Sequence, residues 1–461
     1  MKIYILTFCT LFISYALFSQ AGHIMQGVGA VNMSMGGAST AQPLDINGAL
    51  YWNPATLSTF DGSILSVSAG AFFSSPELSS SFGPFSGKTL DDRGVAIMPA
   101  VAFVWGKEES KHTFGASAFG ISGFGVTFPE DLNYPQDGLG NFNPNFDPTA
   151  GTNPINFPQF AGGFGHIESD YILLQVGFTY SYQISKCFSI GLQPNIDYAT
   201  LELAPNPVSM PDFPPPFGTG NGYPTTNKAS AIGFGGQIGV FYDGGLLKLG
   251  ASYKTKQTFS DFDFDQKYVD GNDAPGVKFK MNYPAIYSVG MGLSGNKFDF
   301  ALDFRYVDYE GTEGFAESGW QISDSGPTTG FPTGAVNGFG WKNMTIVSVG
   351  LQYKVTDKLP IRIGYTYSSN PIEDELAFFS IPATAVIENA AQIGFGYKFN
   401  NKIEINAVYH QGFRGDGSSG NLLSPVAISP TNPLGAIPNS SVSYNMETSM
   451  IQFTLNYTFT K

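Results

Sequence analysis

One stretch of the sequence decides the fold: residues 172–182 read ILLQVGFTYSY. Apolar and aromatic side chains occupy every second position, and small or polar ones stand between most of them. The apolar set is Ile172, Leu174, Val176, Phe178, Tyr180 and Tyr182, and the second set includes Gln175, Gly177, Thr179 and Ser181. Successive side chains of a β-strand point to opposite faces, so the stretch predicts a strand with one apolar and one polar face.

The same period of two recurs along most of the chain, for example in residues 361–368 and 451–459. Charged side chains such as Asp303, Arg305 and Arg362 fall on the polar face, which points to the lumen of a barrel. We predict fourteen strands, an even number as single-chain bacterial barrels have. Their expected ranges are 62–73, 93–105, 112–122, 170–185, 187–203, 229–242, 246–259, 277–293, 297–309, 342–355, 359–369, 389–400, 402–413 and 445–460.

The connections between these strands alternate in length. Short ones fall at 107–111, 186, 243–244, 295–296, 357 and 400–401. Long ones fall at 74–92, 123–169, 204–228, 260–276, 310–341, 370–388 and 414–444. A soluble β-sandwich or propeller also alternates. Strands of about ten residues with aromatic apolar faces, short turns at one end and long loops at the other favour an all-β, transmembrane antiparallel β-barrel instead.

The composition agrees with a barrel and excludes other classes. Charged residues make up 13% of the 461 residues, about half the usual share of roughly 25%. Aromatic residues make up 15%, and the net charge of −14 argues against a nucleic-acid partner. Cys9 and Cys187 are the two cysteines, so a chain that has lost its first residues has no internal disulfide.

The N-terminus resembles a secretory signal peptide. Lys2 precedes an apolar run at 3–18, and Ser19 and Gln20 stand before a cleavage point at Ala21. A membrane anchor is the alternative, but the run is near the short limit of roughly 17–25 residues for a spanning helix. We therefore exclude residues 1–20 from the fold.

The segment that follows the signal resembles the N-terminal hatch of the FadL/TodX (OMPP1) family of outer-membrane transporters of long-chain fatty acids and other hydrophobic compounds. The motifs that carry the resemblance are Gly27 to Gly29, Met35-Gly36-Gly37-Ala38, Asp45, Trp52-Asn53-Pro54-Ala55 and Phe60. A second match covers 341–413, and the strand count also fits. The chain departs from the family at its end, where Thr460 and Lys461 follow the aromatic Phe459. The resemblance implies a hatch at 21–60 inside a barrel at 61–461.

The resemblance also implies site residues. Hatch and gating residues would be Asn53, Pro54, Ala55, Gly36 and Gly37, although Asn-Pro-Ala alone is also an ordinary turn. A lateral opening at the third strand would use Gly115, Gly120, Gly123 and Gly125, although glycine is also a packing choice on a barrel wall. The aromatic residues of the long loops themselves indicate a platform for ligand, unless these rings only pack on one another; its residues would be Phe142, Phe146, Phe157, Phe160, Phe213 and Phe217.

These features predict a protein of the Gram-negative outer membrane that takes up fatty acids or other hydrophobic small molecules. Its expected partners are that ligand and outer-membrane lipid, and we expect a monomer without a cofactor. The alternative is a barrel of the same kind that binds exported protein, and a third possibility is an open porin. Enzyme chemistry is disfavoured, because His23, His112, His166 and His410 lack metal-ligand spacing and no Gly-x-Ser-x-Gly elbow occurs. Asp270, Asn272 and Asp273 resemble a calcium loop but lack its final glutamate.

Overall fold

The structure is a computed structural model that describes residues 22–106, 109–215 and 218–459. The signal peptide expected at residues 1–20, Ala21 and Phe217 lie outside the described residues. Within them, fourteen antiparallel strands form one closed ring, as expected from the sequence. We number them β1 to β14 in chain order.

The strands are β1 Ser63–Ser74, β2 Ala96–Trp105, β3 His112–Phe128, β4 Ile167–Ser185, β5 Phe188–Ala204, β6 Ala229–Asp243, β7 Leu247–Lys254, β8 Ala285–Ser294, β9 Phe298–Asp308, β10 Met344–Thr356, β11 Leu359–Ser368, β12 Asn389–Lys398, β13 Ile403–Gly412 and β14 Thr448–Thr458. Each strand pairs with the next along the chain, and β14 pairs with β1 to close the ring. A closed ring has no free edge, so the backbone groups of its ladders are hydrogen-bonded within the wall.

The apolar side chains of the wall lie outside and the polar ones inside, which is the reverse of the distribution in a soluble protein. On β4, Ile172 and Phe178 are about half exposed on the outer face, at 50% and 53%. Gln175, Thr179 and Ser181 are buried on the inner face. Apolar side chains outside and polar side chains inside are the distribution of a barrel that spans a membrane.

The long loops carry sheets of their own. One joins Glu77–Phe82, Phe85–Leu90, Ser418–Gly420 and Ser441–Asn445, a second joins Thr225–Thr226, Phe262–Lys267 and Asp273–Phe279, and a third joins Trp320–Ile322 and Pro332–Val336. These sheets lie at the end of the barrel that we call the loop end, and the short connections define the turn end.

Three strand boundaries differ from expectation by more than three residues. Residues 277–279 belong to a loop hairpin and not to β8, because Phe262 and Phe264 of that hairpin face the core and give it the same period of two. Strand β7 stops at Lys254, after which a bulge leads to Thr258–Phe259, which rejoins β6. Strand β3 passes its expected end at Ser122 and continues along β4 to Phe128.

The structure places residues 22–60, which we call the hatch, inside the ring. The hatch contains helix α1 Gly29–Ser34, helix α2 Ile46–Trp52 and the 3-10 helix Pro54–Thr59. It contacts strands on opposite sides of the ring, including β5, β6, β12, β13 and β14, which is possible only from the lumen. No helix among the described residues is long and apolar enough to cross a bilayer.

Local sequence explains where the hatch helices begin. The Asp45 carboxylate accepts a hydrogen bond from Gly48 N at 3.1 Å and caps α2. The Asn53 side chain accepts one from Ala55 N at 3.1 Å, and Pro54 occupies the first turn of the next helix. Asp and Asn are favoured N-caps, and proline is tolerated in a first turn because its nitrogen needs no partner there.

Glycines of the wall allow the hatch backbone to approach closely. Gly350 of β10 and Gly364 of β11 are cross-strand partners, and both face the turn at Met35 and Gly36. A Cβ at position 350 would lie 2.5 Å from Met35 O, and one at 364 would overlap Gly36 N. The wall glycines that meet hatch atoms in this way are Gly115, Gly191, Gly239, Gly250, Gly290, Gly292, Gly350, Gly364 and Gly394. The inner wall is therefore shaped for this segment.

We predict that Gly364→Ala partly displaces the hatch and raises ion conductance, because the new Cβ has only backbone atoms to push against. Overpacking of this kind costs about 1–3 kcal/mol. Conductance in planar bilayers would measure the change. Gly62→Ala is the matched control, because the nearest atom to its added Cβ lies 3.6 Å away. A Gly364→Ala protein as tightly closed as the wild type would contradict a hatch seated on wall glycines.

Candidate functional site

Asn53 ties three parts of the lumen together. Its Oδ1 accepts a hydrogen bond from Ala55 N, while its Nδ2 donates to Thr40 O at 2.8 Å and to Val240 O of β6 at 3.1 Å. One side chain therefore caps a helix, holds a distant part of the hatch and contacts the wall. Asn53 is completely buried, so each of these bonds is shielded from water.

The other two residues of the Asn-Pro-Ala triplet pack on the wall. Pro54 and Ala55 lie against Gly191 of β5, where a Cβ would overlap their backbone. The Ser181 hydroxyl of β4 donates to Ala55 O at 3.0 Å. The structure thus places Asn53, Pro54 and Ala55 together at the junction of the hatch with β4, β5 and β6.

Gly36 and Gly37 form a turn at the opposite wall. Their φ angles are +66° and +78°, in the left-handed region that side chains rarely adopt. A Cβ at Gly37 would overlap Gln26 O of the hatch, and Gly36 faces the β10–β11 pair. Only glycine allows both the turn and this close packing.

A buried ion pair, which the sequence placed on the lumen face without a specific role, anchors the same turn. Asp303 Oδ2 accepts hydrogen bonds from Thr40 N at 2.8 Å and Thr40 Oγ1 at 2.7 Å. Arg305 donates to Asp303 at 2.5 Å and to Gly37 O at 2.8 Å. Its guanidinium carbon lies 3.6 Å from the centre of the Trp52 ring. A buried charge pair of this kind favours one geometry because each partner left alone is costly.

Asp45 adds a titratable group to the hatch. Burial raises the pKa of this carboxyl to about 6, although hydrogen bonds from Gly48 N and Asn47 Nδ2 act in the opposite direction. A carboxyl that is both buried and used as a helix cap couples the docking of the hatch to pH.

The wall has an opening between β2 and β3. Their ladder runs from the Trp105–Phe114 pair to the Ala100–Phe119 pair and ends there. Beyond it, residues 96–99 pair with β1, and residues 120–128 pair with β4. Pro99 has no N–H to donate, and a bulge shifts the register of β3 just after Gly120. The two strands therefore separate on the loop side of Ala100 and Phe119.

Two sets of contacts frame this opening. At the loop end, Asp92 N donates to Thr127 O at 2.8 Å, and Thr127 N donates to Asp91 Oδ1 at 2.6 Å. On the lumen side, the first residues of the hatch pair with β3: Met25 N donates to Ile121 O at 3.0 Å, and His23 O accepts from Gly123 N at 3.3 Å. The hatch thus satisfies part of the β3 backbone that β2 leaves unpaired.

The four glycines expected at a lateral opening occupy three different positions. Gly120 and Gly123 lie along the separated part of β3. Gly125 lies under the side chain of Arg93, which donates to Asp170 of β4 at 2.5 Å. Gly115 lies in the paired part of the ladder and faces the hatch.

A cavity of about 560 Å3 lies among the long loops at the mouth of the barrel. Aromatic rings from separate loops line it, among them Phe157, Phe164, Phe213, Tyr223, Trp320 and Phe378. None of its described lining residues is Lys or Arg. A smaller cavity shares four of these rings and reaches Phe379, Ile381 and Ile167 at the start of β4. The loops therefore hold a largely apolar site above the barrel interior, and Asp212 is the one charged residue among its described lining residues.

The platform residues expected from sequence only partly coincide with this cavity. Phe157 and Phe213 line it. Phe142 and Phe160 are exposed, at 64% and 55%, and Phe146 contacts Phe85 edge-on at 6.1 Å. Sequence reasoning missed Tyr223, Trp320 and Phe378, because each belongs to a different loop and no local pattern connects them.

Comparisons with known proteins agree with this architecture. The family model for the outer membrane protein transport protein family (OMPP1/FadL/TodX) matches residues 153–460. No curated protein sequence matches significantly. The matched family consists of transport proteins and not of enzymes, as the sequence predicted.

Several solved structures share the fold. The toluene transporter TodX of P. putida is 18% identical with a TM-score of 0.66, covering 95% of this chain and 99% of that one. A FadL homologue of Pseudomonas aeruginosa is 15% identical with a TM-score of 0.66, covering 95% and 100%. The toluene transporter TbuX of Ralstonia pickettii is 16% identical with a TM-score of 0.60, covering 94% and 99%. At these identities the likeness establishes the fold.

We predict that Asp45→Asn stabilises the docked hatch at about pH 7.5 and has little effect at about pH 5. The folded carboxyl has a pKa of about 6, above the ordinary 3.8. Ionisation at higher pH therefore opposes docking, and this cost disappears when the pH falls. Asparagine keeps the helix cap without the charge.

Hydrogen exchange of hatch amides, compared between the variant and the wild type at each pH, would measure this difference. The comparison cancels both the intrinsic exchange rate and the titration of other groups such as His23. An equal effect of Asp45→Asn at both pH values would refute the assignment.

Proposed function

Because this chain belongs to the outer membrane protein transport protein (OMPP1/FadL/TodX) family, we propose that it takes up hydrophobic small molecules, fatty acids or uncharged aromatic compounds, across the outer membrane. The ligand binds first in the loop cavity, passes into the barrel above the hatch, and leaves sideways through the opening between β2 and β3. The interruption of the β2–β3 ladder is the observation that carries this route.

A lateral exit avoids the free-energy cost of passing a hydrophobic ligand through the hatch into water. A ligand pushed through the hatch into the periplasm would lose about 0.8 kcal/mol for each methylene returned to water. A ligand that leaves through the wall stays in apolar surroundings. The hatch fills the lumen and its residues 23–25 pair with β3, so it blocks the first path and borders the second.

The charge of the loop cavity favours an uncharged ligand. Asp212 is among its lining residues, and no Lys or Arg is found among the described ones. A carboxylate buried there would lack the cation that a buried charge requires. The head group of a fatty acid would therefore bind in its protonated form or remain at the solvent-exposed rim.

The alternative of a barrel that binds exported protein has no support from the comparisons, whose matched proteins are named as transporters and channels. We retain transport as the proposal. The gating role of Asn53, Pro54, Ala55, Gly36 and Gly37 and the platform role of Phe157 and Phe213 are part of it.

We predict that Phe378→Ser weakens the binding of radiolabelled toluene about tenfold or more, because burial of one large apolar side chain contributes about 1.5–3 kcal/mol. Phe378 lines both loop cavities and is 8% exposed. Phe142→Ser is the matched control, since Phe142 is 64% exposed and outside both cavities. Equal losses in the two variants, each checked for a folded barrel by heat modifiability, would argue against capture in the cavity.

We predict that joining β2 to β3 across the opening stops uptake without weakening ligand capture. A Cβ at position 120 would lie 3.9 Å from the Met98 sulfur, so Met98→Cys with Gly120→Cys, in a Cys187→Ser background, places two thiols within reach of a short, reducible bifunctional thiol reagent. Uptake of radiolabelled toluene by cells should fall after this cross-linking and return on reduction.

The control joins two strands whose ladder is already complete. Val67→Cys and Val101→Cys replace cross-strand partners of β1 and β2 that are both exposed on the outer face. Cross-linking of this pair with the same reagent should leave uptake unchanged. Undiminished uptake through the cross-linked β2–β3 pair would exclude the lateral route.

A further inference from the structure

Near the start of the hatch, a histidine is enclosed by aromatic rings at a point where the proposed route enters the barrel. His23 is 1% exposed, and six rings surround it. Their centroids lie at 6.4 Å for Phe124, 6.1 Å for Tyr171, 5.8 Å for Tyr283, 5.5 Å for Tyr309, 4.7 Å for Phe315 and 5.7 Å for Trp341. We call these six residues the aromatic box.

The rings of the box contact the imidazole as they would contact a planar aromatic ligand. Phe315 stacks on it with an interplanar angle of 17°, while Tyr283 and Phe124 meet it edge-on at 77° and 80°. Face-to-face contact on one side and edges around the rim are the preferred contacts between aromatic rings. The wall, the loops and the segments flanking β8 and β9 all contribute, so the box is part of the folded barrel and not of the hatch.

The polar atoms of the box are not all satisfied. His23 Nδ1 is 2.8 Å from the Tyr309 hydroxyl. His23 Nε2 and the Tyr171 hydroxyl are buried without a hydrogen-bond partner among the described residues. Buried polar groups in native proteins are nearly always paired, and each unpaired one costs about 1–3 kcal/mol. The box therefore has unused capacity for hydrogen bonding at its centre.

The occupant of the box is uncharged. Burial lowers the pKa of His23 to about 3, so the imidazole is neutral at physiological pH. No described Lys, Arg, Asp or Glu contributes a ring contact or a hydrogen bond to His23. An interior of this kind excludes anions and cations and accepts a neutral ring that carries a polar edge.

The box adjoins the opening in the wall. His23 O accepts hydrogen bonds from Gly123 N and from Ser122 Oγ, at 3.3 and 2.9 Å, on the separated part of β3. Phe124 and Tyr171, which stack on each other at 4.9 Å, belong to β3 and β4. A ligand on the proposed route to the bilayer passes these rings.

We propose that the aromatic box is a binding site for a small neutral aromatic molecule with one hydrogen-bonding group, of the phenol class, and that the His23 ring occupies it as an internal substitute for that ligand. This inference rests on the proposed transport function and assigns a ligand class to its interior. Entry of the ligand displaces the imidazole from the box.

The test compares phenol with toluene, which has the same size but a methyl group in place of the hydroxyl. Equilibrium dialysis would measure the binding of each radiolabelled compound to the full-length purified barrel. In His23→Ala we expect phenol to bind about tenfold more tightly than in the wild type, with a smaller gain for toluene. Adding Tyr171→Phe to His23→Ala should weaken phenol binding about two- to tenfold, the effect of one hydrogen bond, and leave toluene binding unchanged.

Met33→Ala is the control for a cavity outside the box. Met33 is 1% exposed and packs in an apolar cluster with Met25, Val408 and Met450. Its removal should favour toluene at least as much as phenol, because the space it leaves is lined largely by apolar side chains. Equal gains of phenol and toluene in His23→Ala, or no gain of phenol, would overturn the proposal.

A further variant keeps the question answerable if His23→Ala fails to fold. His23→Phe fills the box with a ring that has no polar edge, and it should bind phenol less tightly than the wild type does. Wild-type affinity in a folded His23→Phe protein would also overturn the proposal. Failure here, with Phe378→Ser still reducing toluene binding and the β2–β3 cross-link still blocking uptake, removes the box and leaves the transport function standing.

Discussion

The constraint on which the structure depends is that a backbone within a bilayer must satisfy its own hydrogen bonds. Fourteen strands meet it by closing into a ring, so that β14 pairs with β1 and no edge remains. Closure creates a wide polar lumen, which the hatch occupies. Nine wall glycines leave room for atoms of the hatch, and at six of them the backbone of the hatch lies directly on the backbone of the wall. A bulky side chain at any of these points would separate the two surfaces.

The ladder between β2 and β3 is interrupted at the opening, and neighbouring parts of the chain compensate for it. Asp91 and Asp92 bind Thr127 at the loop end, and the first hatch residues bind Ile121 and Gly123 from the lumen. Opening the wall and seating the hatch are therefore coupled through the same backbone groups of β3. Movement of residues 23–25 would expose hydrogen-bonding groups of β3, so a compensating ligand or water must take their place.

Inside the barrel, polar contacts hold the hatch, and apolar surfaces line the space above it. Asp303, Arg305 and Asn53 hold the hatch by directional bonds, which specify a single seated position. The rings above it, from Trp320 and Phe378 in the loops to Trp341 at the aromatic box, form a succession of apolar surfaces with few charges. On the proposed route, a hydrophobic solute would exchange the apolar contacts of one surface for similar contacts at the next.

The sequence by itself determined the barrel. The alternation in residues 172–182 and the alternating loop lengths predicted fourteen strands, and these signals are local, since strand periodicity and turn chemistry are properties of neighbours in sequence. The hatch was expected only through the family resemblance of Gly36-Gly37 and Asn53-Pro54-Ala55, because Asn-Pro-Ala by itself is also an ordinary turn.

Only the tertiary structure decided the binding surfaces and some of the boundaries. Residues 277–279 have the period of a wall strand but belong to a loop hairpin. A period of two indicates that one face of a strand is buried, but it does not indicate which part of the protein covers that face. Trp320, Phe378 and Tyr223 line one cavity although they come from three loops, and His23 meets six rings scattered between residues 124 and 341. Such convergence depends on where the closed ring brings the loop ends together, and no stretch of sequence carries that information.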